Sequence, residues 1–346
     1  MKRAGLLLLL CFFSIHLKAQ INTEIFEFEF EGVKLHGVLN TPENSIPKGI
    51  VLIVHGSGQT NAVEQEWHLD VREQLVKSGY ATYMWDKMGC GKSGGTFDYN
   101  QTVQSSASEV IAAIKKLKRE QIPGSEEIGL WGISRAGWIN PLVINQYDGI
   151  KFWISVSGVD EKENFKYLLT QNLRINGHSE DTVTLLTNEW QEGVDITHSG
   201  GSFESAMSAT PNLRKNNFMV RFNGEGFSEE GYYNYQKQFM QQKLDEESGL
   251  PIYIDGFDIL LSNVHVPVLA LFGEKDMNVD WKKTKKLYEN TLGQHTDLTV
   301  RSFPGCNHNL FKANTGGFYE FEDNDLPWDR CDGFLEIMTD WLINQE

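Results

Sequence analysis

From residue 26 onward, the hydrophobic pattern of the chain shifts from alternation to continuous runs. Phe26, Phe28 and Phe30 alternate with Glu27, Glu29 and Glu31, a period of two that predicts a half-buried strand. Residues 33–39 follow directly after Gly32 and predict its hairpin partner. Unbroken apolar runs then occupy residues 49–54, 80–85, 128–132, 152–156 and 268–272, and residues 298–303 close the set. Such runs mark parallel strands covered on both faces. Helical spacing fills the intervals at 65–77, 103–119, 136–146, 280–291 and 333–343. An antiparallel start followed by repeated strand–helix units predicts an α/β fold: an eight-stranded, mostly parallel sheet flanked by helices.

The rhythm breaks once. Residues 158–263 contain no strong strand but many aromatic side chains: Phe165, Tyr167, Trp190, Phe203, Phe218, Phe222, Phe227, Tyr232, Tyr233, Tyr235 and Phe239. Placed after the sixth strand, this insertion is expected to form a largely helical cap over the C-terminal ends of the sheet. The core is then built from residues 20–157 and 264–346.

Ahead of the core, Met1-Lys2-Arg3, an apolar run at residues 6–10 with Phe12 and Phe13, and Ala19 before Gln20 have the build of a secretory signal peptide spanning 1–19. Cys11 raises a lipoprotein alternative, but Leu10 precedes it where a small residue is wanted. The run is too short to span a bilayer, and no later stretch reaches the roughly 20 apolar residues a spanning helix requires. The mature chain is expected to be exported, periplasmic or secreted, without stable membrane insertion.

Charge and cysteine content narrow the classes further. The chain holds 31 Lys and Arg against 47 Asp and Glu, a formal charge of −16 that becomes −19 once Lys2, Arg3 and Lys18 leave with the signal. So acidic a surface repels phosphate backbones and anionic lipid, which argues against nucleic acid as a partner. Cys90, Cys306 and Cys331 remain, an odd number without CxxC spacing. This excludes a disulfide framework and a cysteine-based zinc site, and leaves open which pair oxidises. His36, His55, His68, His178, His198, His265 and His295 are scattered without HExxH spacing. Neither a metal nor a cofactor is expected.

Chemistry concentrates at strand ends. In Gly132-Ile133-Ser134-Arg135-Ala136-Gly137 a buried strand stops at a Gly, a Ser follows two residues on, and a helix begins at once. That is the nucleophile elbow, GxSxG, with Ala136 at the second Gly. A tight strand-to-helix turn projects the hydroxyl away from the backbone. The helix N-terminus sets the Arg135 N–H beside a developing oxyanion. A Ser that merely caps a helix is the bland alternative for such a segment.

Residues 51–54 run into His55-Gly56-Ser57-Gly58, where the loop after the third strand supplies the second oxyanion donor. Ser57 N–H is the candidate, Gly58 the runner-up, and His55 a structural brace. Gly91-Lys92-Ser93 invites a phosphate-loop reading. The full pattern requires a Gly five residues before Gly91, where Asp86 stands, so residues 86–94 are read as a glycine-rich turn beside the site.

Asp276 follows the strand at 268–272 and is the candidate acid, with Glu274 and Asp280 as rivals; Asp280 also looks like the N-cap of the next helix. His308 lies on the loop after the last strand, where a general base belongs. The order Ser134, Asp276, His308, each just past a predicted strand, is the one expected of α/β hydrolases.

At these residues the chain resembles the α/β-hydrolase superfamily, and within it the bacterial dienelactone-hydrolase-like and lysophospholipase-like serine esterases, a group that shades into serine aminopeptidases. The likeness covers about residues 33–158 and 266–342. It departs at Ala136, and at Met88, where these enzymes often carry an Arg that braces the loop. The resemblance implies a serine hydrolase acting on a small-molecule ester. Within hydrolases the rival is a peptidase in which the acidic side chains Glu161, Glu163, Glu180, Asp181, Glu229 and Glu230 bind a substrate amine, although a solvated face explains them equally well. Outside hydrolases it is a catalytically silent binding member of the fold.

Overall fold

The computed structural model describes residues 21–160, 162, 164–224 and 228–345. The predicted signal peptide, Glu161, Glu163 and Phe227 lie outside the described residues.

Ten strands and twelve α-helices are present among them. The hairpin β1 (Ile21–Phe30) and β2 (Val33–Pro42) opens the chain. The buried strands β3 (Ile50–Val54), β4 (Ala81–Trp85), β5 (Ile128–Ile133) and β6 (Ile150–Val156) follow, with α1 (Leu69–Lys77), α2 (Val103–Arg119) and α3 (Ala136–Gln146) between them. Then come α4 (Phe165–Ile175), α5 (Glu180–His198), α6 (Phe203–Ala209), α7 (Asn217–Asn223), α8 (Glu229–Phe239), a two-residue hairpin β7 (Lys243–Leu244) and β8 (Pro251–Ile252), and α9 (Phe257–Ser262). The core resumes with β9 (Val268–Gly273), α10 (Trp281–Asn290), β10 (Leu298–Phe303), α11 (Glu320–Asn324) and α12 (Phe334–Ile343).

Eight strands form one sheet in the order β1-β2-β4-β3-β5-β6-β9-β10; β1 and β2 are antiparallel to their neighbours and the rest are parallel. This is the α/β-hydrolase fold. Strand alternation divides the core: Ile50, Leu52 and Val54 of β3 join one apolar layer, and Val51 and Ile53 join the other. The first layer also takes in α2, α3 and α9, while the second holds the packed pair α1 and α12. Helix α1 starts at Leu69, four residues later than its pattern predicts. Residues 62–68 form turns, and both Glu66 and His68 sit at φ +52°, outside the helical region.

The segment between β6 and β9 has its own small core of Leu168, Leu169, Leu173, Val183, Leu186, Leu213, Phe218 and Met219. It is tied to the core through Tyr167, whose hydroxyl donates to Asp276 O at 3.1 Å. Asn172 makes a second tie: its amide donates to Met277 O at 3.3 Å, and its oxygen accepts from Phe318 N at 2.7 Å.

Candidate active site

The parallel strands β3, β5, β9 and β10 end on one side of the sheet, and the candidate residues are on the loops that leave them. Ser134 follows β5 and is held at φ +56°. A non-glycine residue in the left-handed region is rare and costs of order 1 kcal/mol or more, so the surrounding structure must enforce it. It does so from both sides: Ser134 N donates to Val156 O of β6 at 3.0 Å, and Ser134 O accepts from Gly137 N at 2.7 Å. A Cβ built on Gly132 would lie 2.6 Å from the Ala136 methyl and 2.4 Å from Asn140 Nδ2. Ala136 is therefore accommodated because its methyl packs on the bare face of Gly132, and the departure from GxSxG leaves the elbow intact.

His308 and Asp276 meet although 32 residues separate them, with Nδ1 2.7 Å from Oδ2. Both are almost fully buried, His308 at 7% and Asp276 at 1% exposure. A carboxylate only accepts, so Nδ1 carries the proton and Nε2 presents its lone pair. The other carboxylate oxygen, Oδ1, accepts from Asn278 N and Val279 N, each at 2.9 Å, which fixes the acid in its turn. The rivals are used elsewhere: Glu274 accepts from Ser302 Oγ at 2.8 Å, and Asp280 caps α10 through Lys283 N at 3.2 Å. Among the described residues no hydrogen bond closes between Ser134 Oγ and His308 Nε2, a contact that is often long without substrate.

The turn after β3 lies against the elbow. A Cβ on Gly56 would come 3.4 Å from both Ser134 Cβ and Ile133 O. Neither Ser57 N–H nor Arg135 N–H donates to a protein acceptor among the described residues, so both candidate oxyanion donors are unspent. The Arg135 side chain is turned away into α2, where its guanidinium bonds Ser106 Oγ at 3.0 Å and Gln101 O. His55 is buried and stacks edge-on with Trp85 at 5.1 Å. Burial first, then the charges of Lys87 and His68, hold its imidazole neutral far below the usual range. Among the described residues no group of three His, Cys, Asp or Glu side chains is placed to hold a metal ion.

The model of the X-Pro dipeptidyl-peptidase (S15) family matches residues 31–303, most of the chain. The chain belongs to the S15 family. A search of curated proteins returned no match. Among solved structures, an esterase of Pyrococcus furiosus superposes with a TM-score of 0.55 at 15% identity, covering 94% of this chain and 91% of its own. Est1E of Butyrivibrio proteoclasticus, with ferulic acid bound, gives 0.51 at 18%, covering 92% and 98%. A proline iminopeptidase of Mycobacterium smegmatis gives 0.52 at 14%, covering 93% and 98%. At such identities these likenesses speak for the fold alone, and together with the family they make the protein a hydrolase of the α/β class.

In this S15-family chain a cavity of about 1020 Å³ opens between the core and the segment joining β6 to β9. Ser57, Gly58, Lys87, Arg135 and Trp138 line it on the core side; Phe165, Trp190, Tyr232, Tyr235 and Phe239 face them. Ser134 itself is not on the wall, and the cavity reaches its flanks at Arg135, Ser57 and Gly58. None of Glu180, Asp181, Glu229 and Glu230 lines it. Glu180 instead pairs with Arg174 at the surface, at 2.8 Å, so the solvated reading of that cluster holds for these four.

Three supporting features escaped the sequence reading. Ser157, at φ +46° after β6, donates through Oγ to His308 O at 2.7 Å and anchors the loop that carries His308. Cys306, two residues before His308, is joined to Cys331 in a disulfide, while Cys90 is free and buried. Lys87 donates to Gly56 O and to Gly58 O, each at 2.6 Å. The bracing cation expected at position 88 thus comes from its neighbour. Lys-Met in a glycine turn is a visible signal, but only the fold says which carbonyls the ammonium reaches.

Proposed function

We propose that this protein is an exported serine hydrolase that cleaves carboxylic esters through an acyl-enzyme on Ser134. The single observation that carries the reading is the His308–Asp276 hydrogen bond at the sheet end where Ser134 occupies its enforced left-handed turn. Ser134 Oγ attacks the ester carbonyl carbon while His308 Nε2 takes its proton, and the oxyanion forms against the N–H groups of Ser57 and Arg135. The carbon–oxygen bond then breaks, the alcohol leaving with the proton from His308. Water, deprotonated by the same nitrogen, releases the acid and restores Ser134.

The aromatic lining of the cavity supports an apolar acyl or aryl group in the substrate. Export is supported by the signal-like N-terminus and by the Cys306–Cys331 bond, which fits an oxidising compartment. A second reading, cleavage of peptides from their N-terminus, is favoured by the family match. Glu31 and Asp98 on the cavity wall would then receive the substrate amine.

The experiment is a panel of short and bulky nitrophenyl esters beside aminoacyl- and X-Pro-nitroanilides, run on wild type and Ser134→Ala. Esters should turn over at least tenfold faster than anilides by kcat/KM, and Ser134→Ala should lose both activities and its labelling by a fluorophosphonate. Preference for the anilides would overturn the ester reading; unchanged turnover by Ser134→Ala would overturn the mechanism.

A further inference from the structure

Lys87 is a cation on the wall of the cavity, and no step of the proposed acyl transfer draws on it. Its two contacts are selective. Gly56 O and Gly58 O flank Ser57, each lies 2.6 Å from the ammonium, and neither accepts from any other group among the described residues. A trans peptide is planar, with its C=O and N–H on opposite sides. The Gly56 carbonyl and the Ser57 N–H belong to the same peptide unit. With the oxygen drawn to Lys87, the N–H must point the other way. Gly58, at φ +83°, turns the chain back so that the second carbonyl reaches the same ammonium.

We infer that Lys87 is a positioning residue of the oxyanion turn: by gripping the Gly56 and Gly58 carbonyls it aims the Ser57 N–H at the carbonyl oxygen of a substrate attacked by Ser134. This rests on the serine-hydrolase reading above. The grip also sets a positive charge behind the donor, where charge develops in the transition state and where burial strengthens its effect.

The charge is removable. Burial, with Arg135 of the α3 N-terminus adding to it, pulls the Lys87 pKa down to about 8, against the opposing pull of Glu109 on α2 and Cys90 on its own turn. His55, behind the turn, is neutral and contributes no charge. The ammonium is therefore charged below about pH 8 and is lost as pH rises through it. Catalysis that draws on this charge falls along an alkaline limb near that value.

The test compares wild type, Lys87→Met, Lys87→Arg and Cys90→Ser in ester turnover from pH 6 to 10, with fluorophosphonate labelling rates alongside. Lys87→Met should lose kcat about ten- to hundredfold, a part of what removing a whole oxyanion donor costs, with KM within threefold and labelling slowed in proportion. Lys87→Arg, which never deprotonates, should keep most of kcat and lose the alkaline limb; Cys90→Ser should keep the limb. A Lys87→Met enzyme within twofold of wild type in kcat overturns the inference. Should that variant fail to fold, an unchanged alkaline limb in Lys87→Arg overturns it instead. Wild type that is not labelled at Ser134 marks failure of the hydrolase reading itself, whereas normal labelling of wild type and of Lys87→Met at equal rates sinks the Lys87 role alone.

Discussion

At the scale of single residues, the site is a set of atoms each held by a partner that leaves one function free. Asp276 illustrates this best. Two backbone N–H groups occupy Oδ1, so Oδ2 is the oxygen available to His308. In Asp276→Asn the amide oxygen would stay with those N–H donors and the NH₂ would face Nδ1. The ring would then have to hold its proton on Nε2, the wrong tautomer for a base. We expect kcat to fall by about 10³–10⁴-fold with KM little changed. A loss under tenfold would show that Asp276 does not set the tautomer.

At the scale of elements, two junctions can be tested through stability. The elbow depends on β5 and α3 touching at Gly132, where any Cβ would meet Ala136 and Asn140. Gly132→Ala is expected to cost about 1–3 kcal/mol by overpacking. Ala136→Gly should cost less, since it removes only a methyl and about 1 kcal/mol of helix propensity. Urea unfolding of both variants checks the order, and the reverse ranking would contradict the packing argument.

The loop carrying His308 is closed by Cys306–Cys331 over a separation of 25 residues. By loop entropy, that closure stabilises the folded chain by about 3.5 kcal/mol. The Cys306→Ser, Cys331→Ser double variant should lose about this much. Cys306 O also accepts from Lys275 N at 2.8 Å, beside Asp276, so the same variant should show weaker turnover even where it is fully folded.

At the scale of the whole molecule, two buried neutral imidazoles make the fold sensitive to acid. His68 is held to a pKa of about 4 by burial first and then by the charge of Arg330, with Asp70 opposing; His55 is depressed as well. Both are neutral in the folded state, while in the unfolded chain they take a proton below about 6.5. The stability they contribute is therefore complete above about 6.5 and is lost as pH falls toward 4. Urea midpoints at pH 7.5, 5.5 and 4.5 should decline across this window. His68→Asn, a residue that tolerates the left-handed backbone at this position, should flatten the decline. An identical slope in the variant would remove His68 from the account.

Much of this was legible without coordinates. Strand and helix positions follow from local periodicity, because a buried strand and an amphipathic helix each write their own burial along the chain. Helices α2 and α3 begin and end where their patterns do. The Ser134 elbow is equally local: Gly132, Ser134 and Ala136 lie within one turn of chain. What the sequence could not carry is distance. His308 finds Asp276 and not Glu274 because strand ends and backbone donors arrange it so. Cys306 takes Cys331 and leaves Cys90 buried, while four surface carboxylates stay clear of the cavity. Lys87 gains its meaning only when β4 lies beside β3 and its ammonium reaches back to the neighbouring turn. Local pattern determined the elements and the turn that holds Ser134; the pairing of groups far apart along the chain was decided by how the sheet stacks its strand ends, which no short window of residues encodes.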